Sequence, residues 1–175
     1  MPWSVVLTLG WPQLLVLVVG LQRLFELWYS RRNARRLVAE GAVELGREHY
    51  PLIVGLQVAW LLALAFGVGT GQPLLWPWLL VYLVLQFLRV WIIASLGRYW
   101  TTRVYHLPDR PLVHRGPYRW LKHPNYLVVV AEVVVLPLSL GAWWAAAIFG
   151  PLQSLLLLWR LRAEEPALAS RRRPF

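Results

Sequence analysis

The sequence predicts an all-α, polytopic membrane protein of about five transmembrane helices with a C-terminal helical hairpin, and three observations predict it. Apolar residues make up 58% of the 175 and charged residues only 15%, against about 45–50% and about 25% in soluble domains. The apolar residues are gathered into five runs, 3–21, 51–69, 76–96, 126–140 and 142–159. Of the 18 basic residues, all but Arg23 and Arg89 fall in the connectors and tail on one side of those runs when five helices alternate, the pattern of the positive-inside rule.

The first three runs have the ~20 residues that a helix needs to cross a hydrocarbon core of about 30 Å. The last two are shorter, and Gly141 alone separates them, with Leu136 to Gly141 reading as a tight turn. Residues 126–159 are therefore expected as the hairpin, its first helix short of the far headgroups. The N-terminal run lacks a basic leader segment and a small-residue cleavage site, so it is expected as the first membrane helix. No repeat or soluble domain is visible. The whole chain, 1–175, is expected as one membrane domain, with three helices in 1–97 and a loop, hairpin and tail in 98–175.

Charge sets the expected orientation. Arg31, Arg32, Arg35, Arg36 and Arg47 lie between runs one and two; Arg98, Arg103, Arg110, Arg115, Arg119 and Lys122 between three and four; Arg160, Arg162 and Arg171 to Arg173 after run five. The opposite connectors carry no basic residue. The basic side is expected to be cytosolic and the N-terminus outside, in a bacterial inner membrane. Trp3, Trp76, Trp78, Trp143 and Trp144 would form the outer aromatic belt, and Trp28, Trp100, Trp120 and Trp159 the inner one. A net charge of +10 in blocks between apolar runs points to membrane lipid rather than nucleic acid.

Chemistry-bearing residues cluster on the basic side. His49, His106, His114, His123, Asp109, Glu164 and Glu165 all lie there, which favours an enzyme opening to one side over a transport path. With no cysteine, disulfides, thiolate nucleophiles and cysteine-bound zinc are excluded, and the histidine spacings suit no metal. Gly67 to Gly71 lacks the strand that a dinucleotide fingerprint requires. Arg23 and Glu26, spaced i,i+3, are expected to pair within the first helix, and Arg89 either to snorkel inward or to bridge to Glu132, because intramembrane charges are costly alone.

Two segments carry most of the information: Leu112-Val113-His114-Arg115-Gly116-Pro117-Tyr118-Arg119-Trp120-Leu121-Lys122-His123-Pro124-Asn125-Tyr126, and Arg160-Leu161-Arg162-Ala163-Glu164-Glu165. They resemble the two signature regions of the isoprenylcysteine carboxyl methyltransferase family, Leu-Val-x-x-Gly-x-Tyr-x-x-x-Arg-His-Pro-x-Tyr and, one hairpin later, Arg-x-x-x-Glu-Glu. Lys122 stands where the family has Arg, which keeps the charge and loses the planar fork. The resemblance reaches back to about Arg98, and the N-terminal helices look like those of small bacterial members. Ten residues follow the Glu-Glu pair here, where eukaryotic members continue into an aromatic-rich segment. Two acceptor classes therefore stay open, an isoprenylcysteine-like carboxylate and a long-chain polyketide pyrone.

The resemblance implies an O-methyltransferase that uses S-adenosyl-L-methionine and acts on a lipophilic small-molecule or lipidated substrate entering from the bilayer. It implies that Leu112, Val113, Tyr118, His123, Pro124, Asn125 and Tyr126 hold the cofactor, with Pro124 at a helix start whose neighbouring N–H groups face the methionine carboxylate. It implies further that Arg160 orients an anionic acceptor oxygen while Glu164, one turn on, fixes the guanidinium. The bland alternative for that pair is a surface salt bridge worth a few tenths of a kcal/mol. Arg171 to Arg173 are expected to contact anionic lipid. The alternatives kept are an NADPH-dependent membrane reductase of the sterol-reductase type, which shares a His-Pro-x-Tyr helix start, and a small membrane protein without enzymatic activity.

Overall fold

Four helices begin with a proline in the first turn, where a missing N–H breaks no hydrogen bond. Pro12 opens α1 (Trp11–Ala39), Pro51 opens α2 (Tyr50–Gly67), Pro77 opens α3 (Trp76–Leu96) and Pro124 opens α4 (Pro124–Ser139); α5 spans Trp143–Ala169. The computed structural model describes residues 10–46, 48–107 and 115–169, with side chains as far as Arg162.

Glycine ends two of these helices. Gly41 at φ +90° and Gly141 at φ +68° take the left-handed conformation that lets the following N–H turn back. The Ala42 N–H then reaches the Leu37 carbonyl at 2.9 Å, and the Ala142 N–H the Pro137 carbonyl at 2.8 Å, the six-to-one closure of a helix C-terminus. Three residues thus connect α4 to α5.

Among the described residues, three helices are long and apolar enough to cross a membrane: Tyr50–Gly67, Trp76–Tyr99 and Trp143–Arg162. α4 is a shorter apolar helix. The first expected run differs most from what forms. Arg31, Arg32, Arg35 and Arg36, expected in a connector, lie on the last turns of α1. Arginine, alanine and leucine are good helix formers, so nothing stops the helix before Gly41. For the same reason α5 continues past residue 159 and carries Arg160 and Arg162.

A second departure is β structure in an expected all-α chain. β1 (Val43–Leu45) pairs antiparallel with β2 (Val104–His106), Glu44 opposite Tyr105. This ladder ties together the two basic connectors, α1 to α2 and α3 to α4, and Arg103 clamps it through Glu44 at 2.7 Å.

α4 packs between α3 and α5, α2 packs on α5, and α1 leans on α2. The main core lies toward the non-basic end, where Trp60, Leu64, Leu136, Leu140 and Ala145 are fully buried. The outward faces are apolar, Phe87 and Val90 among them, which is how a helix surface facing lipid is built. Trp76, Trp78 and Trp143 stand exposed at the non-basic end, whereas Trp144 folds against Gly67, where no Cβ would fit. Trp100, expected in an aromatic belt, is instead buried at the basic end.

Candidate functional site

The basic end of the bundle is organised around one buried, mainly polar stripe of α1. Glu26, Ser30, Asn33 and Leu37, at alternating spacings of four, three and four, are all buried. The Asn33 side-chain amide donates to the Trp100 carbonyl at 2.8 Å and to the Gly97 carbonyl at 3.2 Å. The Ser30 hydroxyl accepts from the Thr102 N–H at 2.9 Å and lies 2.9 Å from the Thr102 hydroxyl, which also meets the Tyr50 hydroxyl at 3.3 Å. Segment 97–102 is thereby fixed against α1 and α2.

Arg160 reaches this fixed segment from α5. Its guanidinium donates to the Thr102 carbonyl at 3.0 Å and lies 5.4 Å from the centre of the Tyr126 ring, within reach of a cation–π contact. Tyr126 stacks in turn on His123, ring centres 5.4 Å apart and planes parallel within 1°. Both rings flank Pro124 at the start of α4, where the Tyr126 N–H bonds the His123 carbonyl at 3.2 Å and no side chain caps the helix.

A 3₁₀ turn, Gly116–Arg119, carries Tyr118 to the same place. Gly116 has φ +55°, and a Cβ there would run into the Ser95 hydroxyl and lie 3.1 Å from the Trp91 indole nitrogen. Only glycine lets the turn sit so close to the end of α3. Burial pushes the Tyr118 phenol up to about 12, so it keeps its proton and remains a donor.

These residues enclose a cavity of about 200 Å³, lined by Tyr118, His123, Asn125, Tyr126 and Arg160 together with segment 99–105. A second cavity of about 620 Å³ runs between α1 and α2, with mostly apolar walls. The two share Trp100, Thr102, Asn125, Tyr126 and Arg160. The Trp100 indole N–H and the Asn125 side-chain oxygen, both buried at this junction, have no protein partner. A donor, an acceptor and a cation thus converge where a polar chamber opens into an apolar groove.

The structure places Tyr118, His123, Asn125, Tyr126 and Arg160 around one cavity, and Pro124 is buried at the start of α4. Leu112 and Val113 lie outside the described residues, as do the side chains of Glu164 and Glu165. Ser30, Asn33, Tyr50 and Thr102 were not singled out from sequence, and Trp100 only as a belt residue. The signal for the first two was the three-four spacing of uncharged polar residues along α1, masked by the arginines around them.

One buried charge cluster borders the groove. The two expected pairs form, Arg23 with Glu26 at 3.2 Å and Arg89 with Glu132 at 2.8 Å. Arg89 also binds Glu26 at 2.5 Å, and Arg23 binds Glu132 at 2.6 Å. The pairs are therefore a single four-residue network rather than two bridges.

Residues 78–170 match the model of the isoprenylcysteine carboxyl methyltransferase (ICMT) family. The uncharacterized protein YpbQ of Bacillus subtilis (strain 168) is 38% identical over 160 residues, 89% of this chain and 95% of the relative. An uncharacterized protein of Haemophilus influenzae is 27% identical over 157 residues, 84% of this chain and 88% of the relative. No solved structure matches the chain. The family match begins in α3, so the small cavity lies mostly within it, whereas α1 and α2, the main walls of the apolar groove, lie outside.

Proposed function

The chain belongs to the isoprenylcysteine carboxyl methyltransferase family, and on that premise we propose that it is an integral membrane enzyme that methylates an oxygen of a lipophilic acceptor from S-adenosyl-L-methionine. Five helices cross the bilayer, with the basic end in the cytosol and the N-terminus outside, because the positive-inside rule orients them so. The observation that carries the proposal is the junction: a polar chamber and an apolar groove meet at Arg160, as two substrates of opposite solubility require.

The residues of the small cavity fit the cofactor. The start of α4, which no side chain caps, suits the carboxylate of the methionine moiety, and the faces of His123 and Tyr126 suit a sulfonium cation. By the family resemblance, the backbone near Leu112 and Val113 would also hold the cofactor. When bound, the cofactor supplies an electrophilic methyl group on a positively charged sulfur.

Arg160, braced on the Thr102 carbonyl and the Tyr126 ring, draws the anionic oxygen of the acceptor to the junction and holds it in line for attack. Glu164 keeps the guanidinium oriented from the next turn of α5. The protonated Tyr118 and the Trp100 indole N–H add donors without adding charge. The apolar walls of the groove exclude water, which strengthens attraction between the opposite charges that cancel on transfer.

Calorimetry on the purified protein in detergent tests the cofactor side. S-adenosylhomocysteine should bind and NADPH should not, and His123→Ala should weaken the binding about tenfold or more. Binding of NADPH in place of S-adenosylhomocysteine would return the chain to reductase chemistry.

A further inference from the structure

The apolar groove contains an unmatched polar station. Gln57 of α2 and Gln153 of α5 share one hydrogen bond, Gln57 Nε2 donating to Gln153 Oε1 at 3.0 Å. The remaining amide atoms, Gln57 Oε1 and Gln153 Nε2, are buried without a partner, and both residues line the groove. Exchanging the oxygen and nitrogen of both amides moves the labels but still leaves one acceptor and one donor unmatched. The surrounding wall is apolar, with Val54, Leu61, Val129 and Leu157 among its residues. In such a setting an unmatched amide group is costly, so a structural tie between two helices does not by itself account for the pair.

The station lies at a defined distance from the junction. Gln153 is seven residues from Arg160 on α5, and Gln57 is seven from Tyr50 on α2. On α1, Arg23 is seven from Ser30, and its Nε is also buried without a partner. Seven residues are two turns, so each pair shares a helix face with a separation of about 10 Å along the axis. Arg160, Tyr50 and Ser30 all meet Thr102. Three helices therefore place polar groups at one height, about 10 Å up the groove from the site of transfer.

We propose that the groove recognises a second polar group on the acceptor, a hydroxyl or carbonyl carried about 10 Å along its chain from the methylated oxygen. A hydroxyl donates to the free amide oxygen and accepts from the free amide N–H; a carbonyl takes the N–H alone. The acceptor is then a long-chain molecule with an anionic head and one internal polar function, its remaining length lying against α1 and α2. The groove has room for that length, since its wall runs from Tyr50 to Phe66, about 24 Å of helix. This inference rests on Arg160 as the head site.

The experiment uses the full-length protein in detergent and three fatty acids of equal length as probes: unsubstituted, hydroxylated in mid-chain, and hydroxylated at the far end. Calorimetry should find the mid-chain hydroxy acid bound about tenfold more tightly than the other two. The double variant Gln57→Leu/Gln153→Leu removes both partners together, and should erase that preference while keeping affinity for the unsubstituted acid. Equal affinity of the wild-type protein for all three acids would overturn the proposal, whether or not the double variant folds. Arg160→Ala should weaken all three acids alike and preserve their order. If it leaves every affinity unchanged while the mid-chain preference persists, the head site fails and the polar station stands.

Discussion

Two buried polar clusters sit at about the same height in the bundle, one linking α1, α3 and α4 and the other linking α2 and α5. In the first, Arg23, Glu26, Arg89 and Glu132 neutralise one another, and two glutamines close the gaps. Gln86 donates to Glu132 at 2.9 Å, and Gln22 to Gln86 at 2.7 Å and to Glu26 at 3.0 Å. In the second, two amides share a single hydrogen bond and leave one donor and one acceptor over. Among the buried polar atoms of the six-residue network, only Arg23 Nε, which borders the groove, lacks a partner. The contrast separates polar groups that hold helices together from polar groups that await something: the first kind is saturated, the second is not.

The largest effect should come from breaking the saturated cluster. Glu132→Leu leaves Arg23 and Arg89 with one carboxylate between them, and loss of one partner of a buried ion pair costs about 3–5 kcal/mol. A large fall in the thermal midpoint in detergent, or loss of folded protein, is expected. A midpoint close to wild type would show that the network is not what joins α1 to α3 and α4.

Arg160→Ala leaves that network intact and should cut methyl transfer from labelled cofactor into a lipid extract by about 10²-fold, or about 2.7 kcal/mol of transition-state stabilisation. The Arg160→Ala/Glu164→Ala double variant should lose little more than either single, because the two side chains act as one unit. Lysine at 160 should not rescue, since it lacks the two-donor fork. Near-normal transfer by Arg160→Ala would return the residue to a structural role.

Asn33→Ala should cost about 1–3 kcal/mol, the penalty for buried carbonyls left without a donor. Because those carbonyls belong to Gly97 and Trp100, S-adenosylhomocysteine affinity should fall as well, which calorimetry reads directly. At the small end, Arg98 and Glu40 approach to only 3.7 Å with both side chains exposed. Arg98→Ala should leave the thermal midpoint and the activity unchanged, and a clear shift in either would mean that the connector carries more than solvent-facing charge.

The sequence was most legible where hydrophobicity alone decides. α3 occupies 76–96 as its apolar run predicts, and α2 and α4 fall within two residues of theirs. Legibility failed where chain-distant groups meet. Spacing within one helix suggested Arg23 with Glu26, but nothing local indicates that Arg89 grips the same carboxylate from 63 residues away. β1 and β2 are too short, at three residues each, to show a period of two. At the candidate site, the motif residues were visible as a pattern. The scaffold that fixes Thr102, and through it Arg160, was not, because Ser30 and Asn33 read as ordinary polar residues in a basic stretch.

The saturated cluster also bears on how the protein enters the membrane. α3 carries Arg89 and α4 carries Glu132, each the lone charge on its apolar helix. Inserted singly, a helix with one ionised residue near its middle is disfavoured by about 2.5–3.5 kcal/mol per charge at the translocon. α1 does not share the difficulty in the same degree, since Arg23 and Glu26 pair within it. During synthesis α3 emerges first and has no anion on its own helix to neutralise it. Glu26 of α1, made earlier, can meet Arg89 but also answers Arg23, so the network becomes neutral only when α4 brings Glu132.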